Sequence, residues 1–401
     1  MQKDSETTEF NLLSRGVAQS GVRITNERAV LTLIALNAGA SNADVARLSG
    51  LGPQTTSRII AELEARGLVV RGDVLRGRRG QPATPLFLNP QGALAIGIEI
   101  GWRHYEVLVL EMSGKTLASV RRSYLWPDAN TIFGDLAAEV ATIRSGLTDL
   151  QRSRLAGIGL ATPSQIGRNI GLVKAPEGQS ALWRDIDIVA RVAADTGLPV
   201  QWFNDGNAAC WAEVIAQPSP RPQGFAYFQV GTFVGAGLVA KGELWEGNGH
   251  AANLGSMLIC DAAGQPTFVH LVASITALQD QLAAAGMPLP SGSPFNWDWP
   301  SLEPVATQWL DSAGLALAKA IINTHAVLEL DKSIIDGVMP RPVIARLLDR
   351  VTHHLAALPT LTADHPPVEM GHLGASAAAS GAAQLVLFQR FFSRAWKLFS
   401  T

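Results

Sequence analysis

The stretch Asn204-Asp205-Gly206-Asn207-Ala208-Ala209-Cys210-Trp211-Ala212-Glu213 constrains this chain more than any other. The residues before it, Pro199-Val200-Gln201-Trp202-Phe203, are β-branched and aromatic and read as a short strand. Those from 208 to 215 read as a helix with small apolar residues turned to a sheet. Polar residues that close a strand and open a helix stand where open α/β sheets bind ligands. A plainer reading makes Asp205 or Asn207 a helix cap, a common task for Asx residues. The rest of the chain decides between the two.

Downstream of residue 92 the pattern is that of an α/β body. Residues 93–100, 105–111 and 116–124 read as successive strands, with Ser113-Gly114-Lys115 as a turn. A helix over 132–147, a strand over 155–160 and a helix over 187–196 lead into the strand at 200–203. A Pro-rich joint, Gln217-Pro218-Ser219-Pro220-Arg221-Pro222, precedes a second half that opens in the same way. Strands are expected at 225–230 and 235–240. Helices at 268–285, 305–328, 342–355 and 376–392 follow, interleaved with strands at 333–336 and 368–370. Strand hairpins followed by strand–helix alternation, twice over, predict a two-lobed α/β body with a ligand cleft between the lobes. The tryptophans of Phe295-Asn296-Trp297-Asp298-Trp299-Pro300 could stack on a sugar, but such aromatic loops more often pack, and they are given no role; His250, His353 and His354 read as surface or satisfied histidines.

The first ninety residues are of another kind. Residues 1–20 are polar and aperiodic and read as a disordered arm. Thr25 or Asn26 is expected to cap a helix that buries Val30, Leu31, Leu33 and Ile34. Ser41-Asn42-Ala43-Asp44 has capping-box spacing, and Pro53 opens a third helix that Gly67 stops. Three short helices with a Gly-containing turn describe a helix-turn-helix. Its last helix begins Gln54-Thr55-Thr56-Ser57-Arg58, short polar groups suited to base edges and phosphates. An Arg/Gly loop between strands at 68–70 and 86–88 reads as a wing, with Arg76, Arg78 and Arg79 slim enough for a minor groove. Residues 1–90 carry eleven Lys and Arg against eight Asp and Glu, whereas the remainder is acidic. Double-stranded DNA is therefore the expected partner of the small domain alone.

Three Gly-rich pieces then carry a specific likeness. Asn204-Asp205-Gly206-Asn207-Ala208-Ala209, Gly231-Thr232-Phe233-Val234-Gly235-Ala236-Gly237-Leu238 and Gly371-His372-Leu373-Gly374-Ala375-Ser376-Ala377, behind a winged helix, resemble the ROK family of sugar kinases and sugar-responsive repressors. The resemblance implies an α/β fold: an N-terminal winged helix-turn-helix followed by a two-lobed actin-like, sugar-kinase-like body. The domains would be an arm over 1–20, a DNA-binding domain over 21–88, one lobe over 89–221 and a second over 222–401. Kinases of the family open the body with an Asp-x-Gly-Gly-Thr phosphate loop. Here Glu99-Ile100-Gly101-Trp102-Arg103-His104 stands in its place, and Trp102 and Arg103 put bulk where backbone N–H groups should meet phosphate. The family's zinc motif is replaced by a segment with one cysteine, Cys260, and no histidine at Ser256.

The resemblance places Asp205 where the kinases keep the base that deprotonates a sugar hydroxyl, and Asn204 where another hydroxyl is held. The family's next sugar-binding Glu and His fall on Asn253 and Ser256, and a third Glu on His270 to within a residue. Polar groups persist while charges are exchanged, as expected of a pocket retuned for another ligand. The expectation is a transcriptional regulator, a repressor of sugar genes. It binds operator DNA, senses a sugar-like effector, acts as a homodimer or homotetramer and is not an enzyme. No metal or cofactor is expected. An active sugar kinase with an appended DNA-binding domain is the alternative, and a scaffold with a dead pocket is a third reading. Two cysteines, no apolar run near the ~18 residues a bilayer needs and no signal-peptide pattern favour the cytoplasm.

Overall fold

The computed structural model describes residues 19–73, 84–218, 220–247, 252–360 and 364–393. The described residues form two compact units: 19–92 with 388–393, and 93–387. The first unit therefore takes back residues 388–393, which sequence had placed in the second lobe. A reason is visible at Ser393, whose N–H donates to Thr32 Oγ1 at 2.9 Å.

In the first unit, α1 (Gln19–Leu36), α2 (Asn42–Ser49) and α3 (Pro53–Ala65) precede a hairpin of β1 (Val69–Arg71) and β2 (Leu86–Leu88). Helix α1 begins before the expected cap: Thr25 is inside it, and its hydroxyl donates to the Gly21 carbonyl at 2.9 Å. The capping box of α2 is present, with Ser41 N–H donating to Asp44 and Asp44 N–H to Ser41 Oγ. Pro53 holds the first turn of α3, where its missing N–H costs nothing. Val30, Leu33, Ile34, Val45, Ile60 and Leu86 are fully buried and form the core. The wing arginines Arg76, Arg78 and Arg79 and residues 1–18 lie outside the described residues.

The second unit holds two sheets wired alike. The first is ordered β5 (Thr116–Ser123), β4 (His104–Glu111), β3 (Leu94–Ile100), β6 (Leu155–Thr162), β7 (Val200–Asn204). Its first three strands are antiparallel neighbours, and β6 and β7 join in parallel. Helices α4 (Ile132–Ser145), α5 (Asp149–Ser153), α6 (Ile166–Asn169), α7 (Glu177–Asp185) and α8 (Ile188–Thr196) accompany it, and α9 (Asp205–Ala216) follows β7.

The second sheet is ordered β10 (Glu243–Leu244), β9 (Val234–Ala240), β8 (Phe225–Val230), β13 (Lys332–Gly337), β14 (Val368–Met370), again antiparallel then parallel. A hairpin of β11 (Leu258–Cys260) and β12 (Pro266–Phe268) lies between β10 and β13. The single helix expected over 268–285 is divided into α10 (Val269–Ala273) and α11 (Ile275–Ala284), because Ser274 is extended and caps the second. Helices α12 (Val305–Val327) and α13 (Arg341–Ala357) cover this sheet, and α14 (Ala377–Phe391) closes the order. Trp297 and Trp299 pack in line with the buried Trp309.

Every residue of β3 and of β8 is buried, which explains their continuous apolar runs: both faces of each sheet are covered. Helix α14 reaches the first sheet through small residues. A Cβ added to Gly159 would lie 2.1 Å from the Ala382 carbonyl oxygen, so only glycine lets the backbones approach this closely. No helix among the described residues is long and apolar enough to cross a membrane.

Candidate functional site

The site starts where β7 passes into α9. Asn204 is the cap of α9: its Oδ1 accepts the Asn207 N–H at 3.1 Å, while Nδ2 donates to Ser164 Oγ and to Asp205 Oδ1, both at 3.1 Å. The cap expected of Asp205 or Asn207 is therefore made by their neighbour, which leaves the Asp205 carboxyl free for other work. It accepts the Gly206 N–H at 2.8 Å and borders a cleft of about 710 Å³ between the two sheets. Burial, and then the neighbouring Glu99 carboxylate, push Asp205 up to about 7, against the pull of the Gly206 N–H and the Asn204 amide.

All five expected effector residues, Asn204, Asp205, Asn253, Ser256 and His270, line this cleft. The last two form a relay of fixed direction. Val234 N–H donates to His270 Nδ1 at 3.1 Å, so the ring proton sits on Nε2, 3.2 Å from Ser256 Oγ. Burial lowers His270 to about 4, so the ring is neutral at physiological pH. Ser256 accepts from the ring and keeps its own O–H to offer a ligand. One wall of the cleft thus presents a donor and the opposite wall a carboxyl acceptor.

The turn in place of a phosphate loop also lines the cleft. Gly101 N–H donates to His104 O at 2.9 Å, and Tyr124 Oη lies 2.7 and 2.6 Å from the Gly101 and His104 carbonyls. The Arg103 guanidinium donates to the Leu125 carbonyl. Trp102 packs edge-on against Phe233 with ring centroids 5.5 Å apart, and Phe233 against His270 at 5.9 Å. Of the three Gly-rich pieces, the first two supply lining residues and the third does not. Asp336 pins that third piece, accepting the Gly374 N–H at 2.7 Å and the Leu373 N–H at 3.2 Å. Glu213, fully buried near the end of α9, accepts the His372 N–H at 3.0 Å and pairs with its Nδ1 at 2.6 Å. Sequence reasoning gave Glu213, His372 and Asp336 no role. A lone carboxylate inside an apolar strand or helix was the available signal.

On the first unit, Gln54, Ser57 and Arg58 of the expected DNA-contacting turn are exposed and Thr55 is half-buried. Thr56 is a correction: it is fully buried, and its hydroxyl bonds to the Gly52 carbonyl at 3.2 Å, so it serves the core. Ser57 Oγ accepts from Asn42 Nδ2 at 2.9 Å, tying α3 to the start of α2, and Arg58 pairs with Glu62 at 2.8 Å. His/Cys/Asp/Glu groups able to hold a metal ion are not found among the described residues.

Comparison with known proteins places these features. The ROK family profile matches residues 95–389, and a profile described as winged helix-turn-helix DNA-binding matches residues 25–70. The uncharacterized protein y4fQ of Sinorhizobium fredii is 26% identical over 375 residues, 92% of either chain. The xylose repressor of Bacillus subtilis is 23% identical over 244 residues, 60% of this chain and 62% of that protein. The match with such repressors thus spans about three-fifths of their length. A crystal structure of a ROK family transcriptional regulator, described as a homolog of the E. coli MLC protein, superposes with a TM-score of 0.69 at 20% identity, over 95% of this chain and 100% of that one. A Streptomyces griseus ROK glucokinase in complex with glucose and AMPPNP gives a TM-score of 0.56 at 20% identity, over 73% and 99%.

Proposed function

The chain belongs to the ROK family, and from that membership we propose that it is a sugar-responsive transcriptional repressor. The observation that carries this reading is the pairing, on one chain, of a polar-walled cleft with a winged helix whose α3 exposes Gln54, Ser57 and Arg58. Relatives named xylose repressors support it. Operator DNA is bound through α3 and the Arg76–Arg79 wing. A small winged helix has a short footprint, so a symmetric homodimer or homotetramer on a palindromic site suits it. Asn204, Asp205, Asn253, Ser256 and His270 hold the effector. Selection of bound DNA from a random pool, repeated with sugars present, tests the whole reading: recovery of a palindrome lost with one sugar supports it, and recovery of no preferred sequence removes it.

The DNA contacts have their own test. Replacing Arg78 and Arg79 by alanine is expected to weaken operator binding and to reduce the salt slope by about 2, since each phosphate contact contributes about 0.9. Replacing Arg58 by alanine should weaken binding as well, whereas Thr56→Ser should change stability and leave sequence preference alone. Undiminished operator affinity in the wing double variant removes the wing assignment.

One observation favours a second reading, that of a sugar kinase: a cleft carboxyl near pH 7 at Asp205 suits a general base. Against it, the 101–104 turn brings Trp102 and Arg103 into the cleft in place of a short glycine loop. With Asp205 as acceptor only, sugar-dependent ADP release is expected to stay at background across a hexose and pentose panel. Turnover above background would make the chain an enzyme.

A further inference from the structure

The charges on the floor of the cleft do not balance. Glu99 lies in the fully buried strand β3 and is 7% exposed. Its Oε1 is 3.3 Å from His104 Nε2, and its Oε2 is buried without a hydrogen-bond partner. Directly across the ladder stands Glu106, 3% exposed, with Oε1 accepting from Ser376 Oγ at 2.8 Å and Oε2 3.4 Å from Arg121. Asp205 is the third carboxyl, near enough to Glu99 to feel its charge.

One guanidinium serves Glu106 and, less directly, Glu99. Arg121 faces Glu106, donates to the Ala375 carbonyl at 3.2 Å and also meets His104 Nε2. Arg103, the other arginine lining the cleft, donates to the Leu125 carbonyl. Burial alone would raise Glu99, but His104 and Arg121 outweigh it and hold this carboxyl below the usual range, while burial raises Glu106. Glu99 therefore stays charged beside Asp205, with one oxygen unsatisfied. Such a buried group is costly unless something pairs with it.

We propose that the ligand of this cleft carries a protonated nitrogen, as in an amino sugar or another amino-polyol, and that its ammonium group lies between Glu99 and Asp205. The proposal rests on the reading of the cleft as an effector site. An ammonium brings several N–H donors and one positive charge, so it satisfies Glu99 Oε2 and relieves the repulsion between the two carboxyls together. A neutral hydroxyl supplies a donor and leaves that repulsion in place. A metal ion is a poorer match, since hard cations take about six oxygen ligands and only Glu99 and Asp205 offer carboxylates to the cleft among the described residues. The polyol part of the ligand meets Ser256 and Asn253 on the other wall.

The test is calorimetry on the full chain at pH 7 with glucosamine, galactosamine and mannosamine, each beside its parent hexose and its N-acetyl form. At least one amine is expected to bind about 10-fold or more tightly than its two neutral counterparts. In Glu99→Gln, which keeps the shape and removes the charge, that preference should fall to within about threefold. Neutral sugars that bind as tightly as the amines, or a preference that survives Glu99→Gln, overturn the proposal. Should the variant lose its thermal transition, the comparison on the unaltered protein decides by itself. Operator release measured beside it separates the two claims. A neutral sugar that binds and releases DNA leaves the repressor reading standing and removes this one. Amines that bind through Glu99 without changing operator affinity uphold the site and remove the sensing role. Absence of binding by any sugar overturns both.

Discussion

Replacing Gly381 by alanine is expected to destabilise the second unit by about 3 kcal/mol or more, the largest effect of any single methyl group in this chain. In an ordinary helix the exchange would stabilise by roughly 0.5–1 kcal/mol, because glycine loses more backbone freedom on folding. Here the new Cβ would lie 1.7 Å from the Ala208 carbonyl oxygen and 2.5 Å from its carbon. Both atoms belong to the backbone of α9, so no side chain can turn aside. Moving α14 away is no remedy, since the same helix holds Ala379 against Gly97 and Ala382 against Gly159. The control is Gly134→Ala in α4, where a Cβ meets nothing within 4 Å and a small gain is expected. For a domain near this size each kcal/mol moves the melting temperature by about 2–4 °C, so Gly381→Ala should melt at least ~6 °C below the parent protein. A variant within 2 °C of the parent would refute the close packing of α9 on α14.

The second large effect belongs to Asp205→Asn, which should raise stability and abolish sensing at once. Asparagine keeps the oxygen that accepts from Gly206 N–H and Asn204, so local geometry survives. The carboxyl of the folded protein stands near 7, above the ~4 of an unfolded chain. Between those limits the folded state keeps a proton that the unfolded state has released, so stability falls as pH rises through 7. In a sealed site the full loss would be about 4 kcal/mol. Asp205 borders an open cleft, and water screens it, so about 1–2 kcal/mol is expected. The variant should therefore match the parent near pH 4 and melt above it at pH 8. Effector binding should weaken on the order of 10- to 100-fold, the worth of one charge-assisted hydrogen bond. By linkage the variant should also lose the reciprocal effect of operator DNA on effector affinity. A variant that melts no higher at pH 8, or binds effector as tightly, would show that this carboxyl is neither strained nor in contact with the ligand.

Sequence by itself determined most of the longer elements and their order, but not α5, α6, α7 or the β11–β12 hairpin. The capping box at Ser41–Asp44, Pro53 at the head of α3 and the apolar runs of β3 and β8 are signals spoken within a few residues, because caps and side-chain periodicity act over one or two turns. The Asn204-Asp205 junction was legible for the same reason, as was the gathering of Asn253, Ser256 and His270 once the resemblance was drawn. Tertiary structure alone decided what those residues became. It gave the cap to Asn204 rather than Asp205, buried Thr56, and took residues 388–393 back to the first unit. The tautomer of His270 depends on Val234 N–H, thirty-six positions away, and the charge of Glu99 on His104 and Arg121. Gly381 must be glycine because of a carbonyl at Ala208, and Glu213 meets His372 across 159 positions. Each of these depends on burial and on a partner brought close only by packing, where a lowered dielectric magnifies charge and a sub-ångström gap decides which side chain fits.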